Sequence, residues 1–318
     1  MGMQIVCLRT LLLILFSSAL GVLVIQTKWA KAFHFFELQH PTMVYKQRNF
    51  IVELICKQKN LTNVTFPLNR KVAAQLYVEH SHKFIYCEVP KAGCSNWKRI
   101  ILSLNDSLGL TLNELRYHII HASPYMHKLS SYASDKQEEF LANYTKVMFT
   151  RDPLERVVAA YRDKFLHGND GYYGKNVQSI IRKKLGIKPN ATRHITFKEF
   201  VRFVVVEDPR YRDTHWKPMY QLCDPCSVHY NIIGKLETVN QDAEFVLKTI
   251  GAPQNLKYPN FKYPPDESRT NDVISSRYLD SLPPNLLRQL LQVYSTDFSM
   301  FGYDDHYNIP QFEASRLK

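Results

Sequence analysis

The sequence predicts an α/β fold, a parallel β-sheet with helices on both faces, behind an N-terminal membrane anchor. Three observations carry this. Short apolar runs bounded by turn residues alternate with stretches of helical period. One long apolar run stands near the N-terminus. The 318 residues, 45% hydrophobic and 13% aromatic, suit a packed domain with an anchor and a stem rather than a disordered chain.

The first element is Ile5 to Ile25, apolar apart from Arg9, Thr10, Ser17 and Ser18. A membrane span needs about 20 such residues, and Arg9 is close enough to its end to snorkel toward water. Lys28 and Lys31 follow the run, so the positive-inside rule leaves orientation open. Ser17 and Ala19 are small enough for a processing site, which keeps a cleaved signal peptide as the rival to an uncleaved anchor. Five N-x-S/T sequons, at Asn60, Asn63, Asn105, Asn143 and Asn190, all follow the run and point to a lumenal body. The expected organisation is a cytosolic tip and signal anchor over 1–27, a lumenal stem without clear period over 28–80, and the main domain over 81–318.

Within that domain, Phe84 to Val89 reads as a short buried strand, Pro90 to Ser95 as a turn, and Asn96 to Leu104 as a helix with Trp97, Ile100, Ile101 and Leu104 on one face. Lys146 to Thr150 is a second strand. It runs through Arg151-Asp152-Pro153 into a helix whose Leu154, Val157, Val158, Tyr161 and Phe165 fall at helical spacing, with Pro153 suited to the first turn. Asn231 to Gly234 reads as a third strand. Ala243, Val246, Leu247 and Ile250 mark a helix stopped by Gly251, and Leu286 to Tyr294 a last helix after Pro283-Pro284. Strands alternating with helices predict the covered parallel sheet.

Six cysteines are present. Cys7 is in the apolar run; Cys56, Cys87, Cys94, Cys223 and Cys226 remain, and their connectivity is not legible from sequence. Cys223-Asp224-Pro225-Cys226 has the spacing of a redox or zinc site. It lacks a second cysteine pair or a histidine cluster, so structural disulfide chemistry is favoured and no metal is expected. Lys and Arg outnumber Asp and Glu by 41 to 29, a formal +12. That excess favours an anionic partner: nucleic acid, lipid, a phosphate-bearing ligand or an acidic polysaccharide. Nucleic acid explains neither the sequons nor the anchor, so no nucleic-acid partner is expected.

The strand–turn–helix around Lys91 is the main chemical clue. A helix N-terminus presents unpaired N–H groups and the positive end of a dipole. A small-residue turn there lets backbone approach phosphate oxygens. Lys91 adds a cation and Ser95 a hydroxyl. G-x-x-x-x-G-K-[ST] is absent, and no acidic residue ends a strand to hold magnesium, so metal-assisted ATP turnover is disfavoured.

Residues 87–99, Cys-Glu-Val-Pro-Lys-Ala-Gly-Cys-Ser-Asn-Trp-Lys-Arg, resemble the 5'-phosphosulfate loop of the Golgi carbohydrate 4-O-sulfotransferases, the group of GalNAc and chondroitin enzymes. Thr150-Arg151-Asp152-Pro153-Leu154-Glu155-Arg156 and the residues through Phe165 are similar to their 3'-phosphate motif. His215-Trp216, Leu222 to Cys226, Gly234 to Thr238 and Arg269-Thr270 match in order, so the likeness spans about residues 82 to 303. It implies a P-loop-like parallel sheet, a Golgi membrane location with the body in the lumen, 3'-phosphoadenosine-5'-phosphosulfate as sulfate donor, and a glycan or glycosaminoglycan acceptor, sulfated at position 4 of N-acetylgalactosamine.

Residue by residue, the resemblance implies that Lys91, Ala92, Gly93, Cys94 and Ser95 cradle the 5'-phosphosulfate and that Pro90, Asn96 and Trp97 bind the donor with them. Lys91 would stabilise charge on the leaving phosphate. The Arg151 guanidinium would hold the 3'-phosphate. The acceptor hydroxyl needs a base, and His121 between the two motifs is expected to supply it, with His118 competing. A packing role is the alternative for His121. His215 and Arg269 are expected near the acceptor or donor, although His215-Trp216 reads equally as a packing pair.

The chain departs from the family at Ala159, where the pattern has a serine donating to the 3'-phosphate. This leaves a divergent, non-catalytic glycan-binding member as the alternative function. A hydrogen bond to a charged group contributes roughly 1.5–3 kcal/mol. Ala159→Ser is therefore expected to tighten binding of the 3',5'-bisphosphate nucleotide by about ten- to a hundredfold in calorimetry.

Overall fold

The computed structural model describes residues 41–62, 67–105, 109, 111–112, 114–115, 117–166, 171–188, 194–261 and 268–304. The apolar run and the sequons at Asn63 and Asn190 lie outside them. No helix among the described residues is long and apolar enough to cross a membrane. The chain divides into two units, Met1–Gln47 and Arg48–Lys318. The described part of the first is the opening of helix α1 (Pro41–Gln58).

The second unit is built on a five-stranded sheet: β1 (Leu76–Glu79), β2 (Phe84–Cys87), β3 (His127–Lys128), β4 (Thr145–Thr150) and β5 (Ile232–Lys235), in the order β3-β1-β2-β4-β5. The three strands expected from sequence, β2, β4 and β5, run parallel. β1 pairs antiparallel with β2 and β3, so the sheet is mixed where a parallel one was expected. The reason is chain length: only His80, Ser81, His82 and Lys83 separate β1 from β2. A parallel return needs a crossover of about a dozen residues or more.

Side chains alternate across the sheet. On one face Ile85, Cys87, Met148 and Ile233 pack with Val52 and Ile55 of α1 and with Met219 and Leu222. On the other, Phe84, Tyr86 and Phe149 meet Trp97 of helix α2 (Cys94–Ser103), whose ring lies 4.8 Å from Phe149 and stacks on Tyr86 at 5.6 Å. α3 (Tyr117–Ala122) and α4 (Ser134–Asn143) lie between β2 and β4 in the chain. The longer helices that follow β4 are α5 (Pro153–Tyr161), α6 (Gln178–Leu185), α7 (Phe197–Val206), α8 (Val239–Thr249), α9 (Asp272–Asp280) and α10 (Pro284–Phe301). Apolar faces of α5, α6, α7, α9 and α10 form a second core with Trp216 among them.

Part of the expected stem, from residue 48 to 80, is built into this unit. Arg48 of α1 donates to the Ile233 carbonyl (2.8 Å) and to Asp242 (2.9 Å), and β1 falls in the same stretch. Val52, Ile55 and Cys56 share a helix face at i, i+3, i+4 spacing, a pattern the many polar neighbours obscured.

Among the described residues the cysteines resolve as Cys56–Cys226 and Cys87–Cys223, with Cys94 free. Both members of the Cys-x-x-Cys pair thus reach outward to distant segments instead of to each other, and each bridge closes a loop of more than a hundred residues. Replacing Cys87 and Cys223 together by alanine is expected to cost about 2–5 kcal/mol in chemical denaturation, because the loop entropy returns to the unfolded chain.

Candidate functional site

The site starts at the end of β2. After Val89 and Pro90, the backbone turns through two left-handed residues, Lys91 (φ 70°) and Gly93 (φ 85°), directly into α2. Left-handed geometry is uncommon for a residue with a Cβ and concentrates at functional turns. Gly93 is required twice over: by its φ, and because a Cβ there would collide with the Tyr258 hydroxyl, which donates to the Gly93 carbonyl (3.2 Å). The turn leads directly into the N-terminus of α2, where the first N–H groups of a helix lack partners within it and the dipole favours an anion.

Cations converge on that turn. The Lys91 ammonium lies 3.3 Å from Asp163, which also meets Lys164 at 3.0 Å. Burial lowers the Lys91 pKa against the opposing pull of Asp163. Burial pushes Asp163 up, but the two lysines override it and leave it below its ordinary value. Arg151 donates to the carbonyls of Lys91 (3.2 Å) and Thr270 (2.6 Å) and pairs with Glu155 (3.1 Å). Among the described residues its Nε is buried without a hydrogen-bond partner. Asp152 caps α5 by accepting from the N–H groups of Leu154 and Glu155.

Ala159 is buried on the α5 face that carries Glu155 and continues to Arg162. Arg162 donates to the Thr270 hydroxyl (2.8 Å). Thr270 thus lies across this face, its carbonyl held by Arg151 and its hydroxyl by Arg162.

His121 joins the loop. Its Nε2 is 3.3 Å from Ser95 Oγ and its Nδ1 3.3 Å from Lys98 Nζ. Partial burial and the Lys98 cation hold its pKa down to about 4. Lys98 is anchored by Glu88 at 2.5 Å. His118 lies on the same short helix, α3; its side chain is outside the described residues.

His215 is held by a separate cluster. Its Nδ1 is 2.8 Å from Asp213 Oδ1 and 3.0 Å from the Tyr173 hydroxyl, which donates to Asp213 Oδ2 (2.9 Å). The Lys164 ammonium stands over the Tyr173 ring at 4.9 Å. Burial lowers the His215 pKa, Lys164 and Lys91 add to the effect, and Asp213 opposes it. The His-Trp pair splits by function: Trp216 is core, its indole N–H given to Glu207 (2.8 Å), and His215 is polar and half-buried.

Trp97, expected among the donor-binding residues, is fully buried. A side chain without surface cannot touch a ligand, so its ring supports the loop from below. Asn96 does comparable work, donating to the Phe261 carbonyl (3.4 Å) and accepting from Arg99 (3.2 Å). Arg269 is exposed and donates to the Phe261 carbonyl (3.0 Å).

Sequence reasoning missed Arg156. Fully buried, it donates Nε to the Pro90 carbonyl (2.9 Å), and its terminal nitrogens to the carbonyls of Lys217 (2.7 Å) and Thr214 (2.8 Å). It ties the loop to the segment carrying His215. The signal was a charged residue on the apolar stripe formed by Pro153, Val157 and Ala160. Asp163, Lys164, Tyr173 and Asp213 were also missed. They follow α5 or lie in irregular segments, where period gives no warning.

A strand–turn–helix with left-handed backbone carries Lys91, with Arg151 bonded to its carbonyl and Lys164 sharing Asp163 with it; this is the candidate site of an α/β protein. The Sulfotransferase family pattern matches residues 74–304. Human carbohydrate sulfotransferase 9 is 38% identical over 268 residues, 81% of this chain and 59% of that protein. Carbohydrate sulfotransferase 14 of Danio rerio is 34% identical, covering 82% of this chain and 72% of the relative. Carbohydrate sulfotransferase 11 of Rattus norvegicus is 31% identical, covering 84% and 78%. The chain thus spans less than two thirds of the human relative's length. No solved structure matches significantly. The chain belongs to the carbohydrate sulfotransferase family.

Arg156→Met should destabilise the protein strongly. It leaves the buried Pro90 carbonyl and the part-buried carbonyls of Thr214 and Lys217 without donors; a buried acceptor left unmet costs about 1–3 kcal/mol, so a loss of about 2 kcal/mol or more is expected in urea titrations.

Proposed function

We propose that this chain transfers a sulfuryl group from 3'-phosphoadenosine-5'-phosphosulfate to a sugar hydroxyl, at position 4 of N-acetylgalactosamine on glycoprotein glycans or in chondroitin or dermatan. The observation that carries this reading is the bond from Arg151 to the Lys91 carbonyl. It joins the two motifs that would grip opposite ends of the donor nucleotide, and among the described residues Arg151 Nε has no partner.

In this reading the N–H groups at the N-terminus of α2, from Gly93 to Ser95, hold the 5'-phosphosulfate. Lys91, released from Asp163, neutralises charge as it collects on the bridging oxygen. Arg151 and Arg162 face the 3'-phosphate. Thr270 Oγ1 accepts from Arg162 and keeps its own proton to donate, which offsets the serine missing at Ala159. That argues against the non-catalytic alternative. The acceptor hydroxyl loses its proton to an imidazole at this site, His121 or His215, both neutral near pH 7 because burial and neighbouring cations depress them.

The two disulfides suit an oxidising compartment. With the apolar N-terminal run and the sequons, they support a single-pass Golgi membrane protein with its body in the lumen. Among the described sequons, Asn60 and Asn143 are exposed and Asn105 is half-buried.

Incubated with labelled donor, the full chain should sulfate a GalNAc-bearing acceptor, and Lys91→Ala should lower kcat by about 10²–10³. Absence of transfer across a broad glycan panel would overturn the reading.

A further inference from the structure

We infer that His215, rather than His121, takes the proton of the acceptor hydroxyl, with Asp213 as its positioning residue. This rests on the sulfuryl-transfer reading and adds to it the identity of the base.

The argument turns on which ring nitrogen of each histidine has a lone pair to offer. Lys98 lies 3.3 Å from His121 Nδ1. An ammonium only donates, so that nitrogen must accept. A neutral imidazole has one acceptor nitrogen, and its proton then sits on Nε2, facing Ser95 Oγ. The lone pair of His121 is therefore committed to Lys98. Taking a further proton would set a second cation against that ammonium. His121 is built to orient the Ser95 hydroxyl.

His215 has the opposite arrangement. A carboxylate only accepts, and Asp213 Oδ1 lies 2.8 Å from Nδ1, so the ring proton is on Nδ1 and the lone pair on Nε2. Among the described residues, no hydrogen-bond partner meets that Nε2. The same carboxylate oxygen accepts the backbone N–H of His215 (2.8 Å), and its other oxygen accepts from Tyr173 (2.9 Å), which fixes both carboxylate and ring. About a fifth of the His215 side chain stays exposed (22%). When the ring becomes a cation, Asp213 is already placed to stabilise it, the logic of a base oriented by a buried carboxylate.

Two connections tie this imidazole to the loop. Arg156 holds the carbonyls of Thr214 and Pro90 together. A charged chain runs from Lys91 through Asp163 and Lys164 to the Tyr173 ring. The titratable and charged groups facing His215 are thus Asp213, Tyr173, Lys164 and Lys91.

The step balances without further reactants. The sugar oxygen forms a bond to sulfur as the bond from sulfur to the phosphate oxygen breaks. That electron pair leaves on the bisphosphate nucleotide, and the hydroxyl proton passes to His215 Nε2.

The test uses the full chain with sulfate donor and a GalNAc acceptor, calorimetry with the 3',5'-bisphosphate nucleotide, and pH profiles. His215→Asn should lower kcat by about 10²–10⁴ with nucleotide affinity unchanged. In the unsubstituted enzyme, activity rises with pH as His215 loses its proton and then levels off. Asp213 holds that pKa up against Lys164 and Lys91, so Asp213→Asn should move the acid limb to lower pH and reduce the plateau. A purely structural role would leave the limb in place. His121→Asn should raise the donor KM and keep the limb.

A His215→Asn variant with near-normal kcat overturns the inference, as does a limb that follows His121. Should His215→Asn lose nucleotide binding through misfolding, the Asp213→Asn profile decides. No transfer by the unsubstituted chain would sink the sulfuryl-transfer reading, and the inference with it.

Discussion

The structure depends on one buried guanidinium. Among the described residues no carboxylate forms an ion pair with Arg156; its nitrogens are given to the backbone carbonyls of Pro90, Thr214 and Lys217. A buried cation is tolerated only when its donors are satisfied. Here those acceptors belong to two segments far apart in sequence. Desolvation thus enforces their distance: any loosening leaves a charge unsolvated. The Cys87–Cys223 bridge ties the same region covalently, joining the end of β2 to the residues after Trp216.

Around that fixed frame the polar groups are arranged so that opposite charges are paired but replaceable. Lys91 rests on Asp163, and Arg151 on Glu155 and two carbonyls. Burial pushes the Glu155 pKa up, outweighing Arg151, which makes it a weakly held counterion. In the proposed reading an incoming phosphate, carrying more charge and more acceptor oxygens, would displace these partners from the cations. The site is preorganised in its backbone and exchangeable in its side-chain partners.

Much of this was legible in the sequence. The parallel strands β2, β4 and β5 are short apolar runs with turn residues after them, and each following helix has a clean stripe. The loop was legible because Gly93 and Lys91 stand between such a strand and such a helix. What was not legible follows from physics that period does not record. The antiparallel β1 lies in a stretch where alternation is broken by Glu79 and Gln75. The disulfide partners are set by the fold. The tautomers of His121 and His215 depend on Lys98 and Asp213, and only the fold reveals which nitrogen each one meets. Trp97 was read as a ligand contact because it adjoins the loop in sequence, although helical geometry turns it under the sheet.

The parallel core also governs how the chain reaches this state. β2, β4 and β5 are neighbours in space but come from residues 84–87, 145–150 and 232–235. The sheet cannot close until well over two thirds of the chain has been made. Contacts at such separation are slow to form because loop closure must precede them. Until β5 arrives, β4 offers an open edge of Val147, Met148 and Phe149, the kind of surface that pairs wrongly during synthesis. Cys87 must likewise wait for Cys223 while the nearer Cys94 remains a reduced competitor. Maturation is therefore paced by thiol pairing and late strand insertion, and the protein's yield should depend on the oxidant and the folding helpers present where it is made.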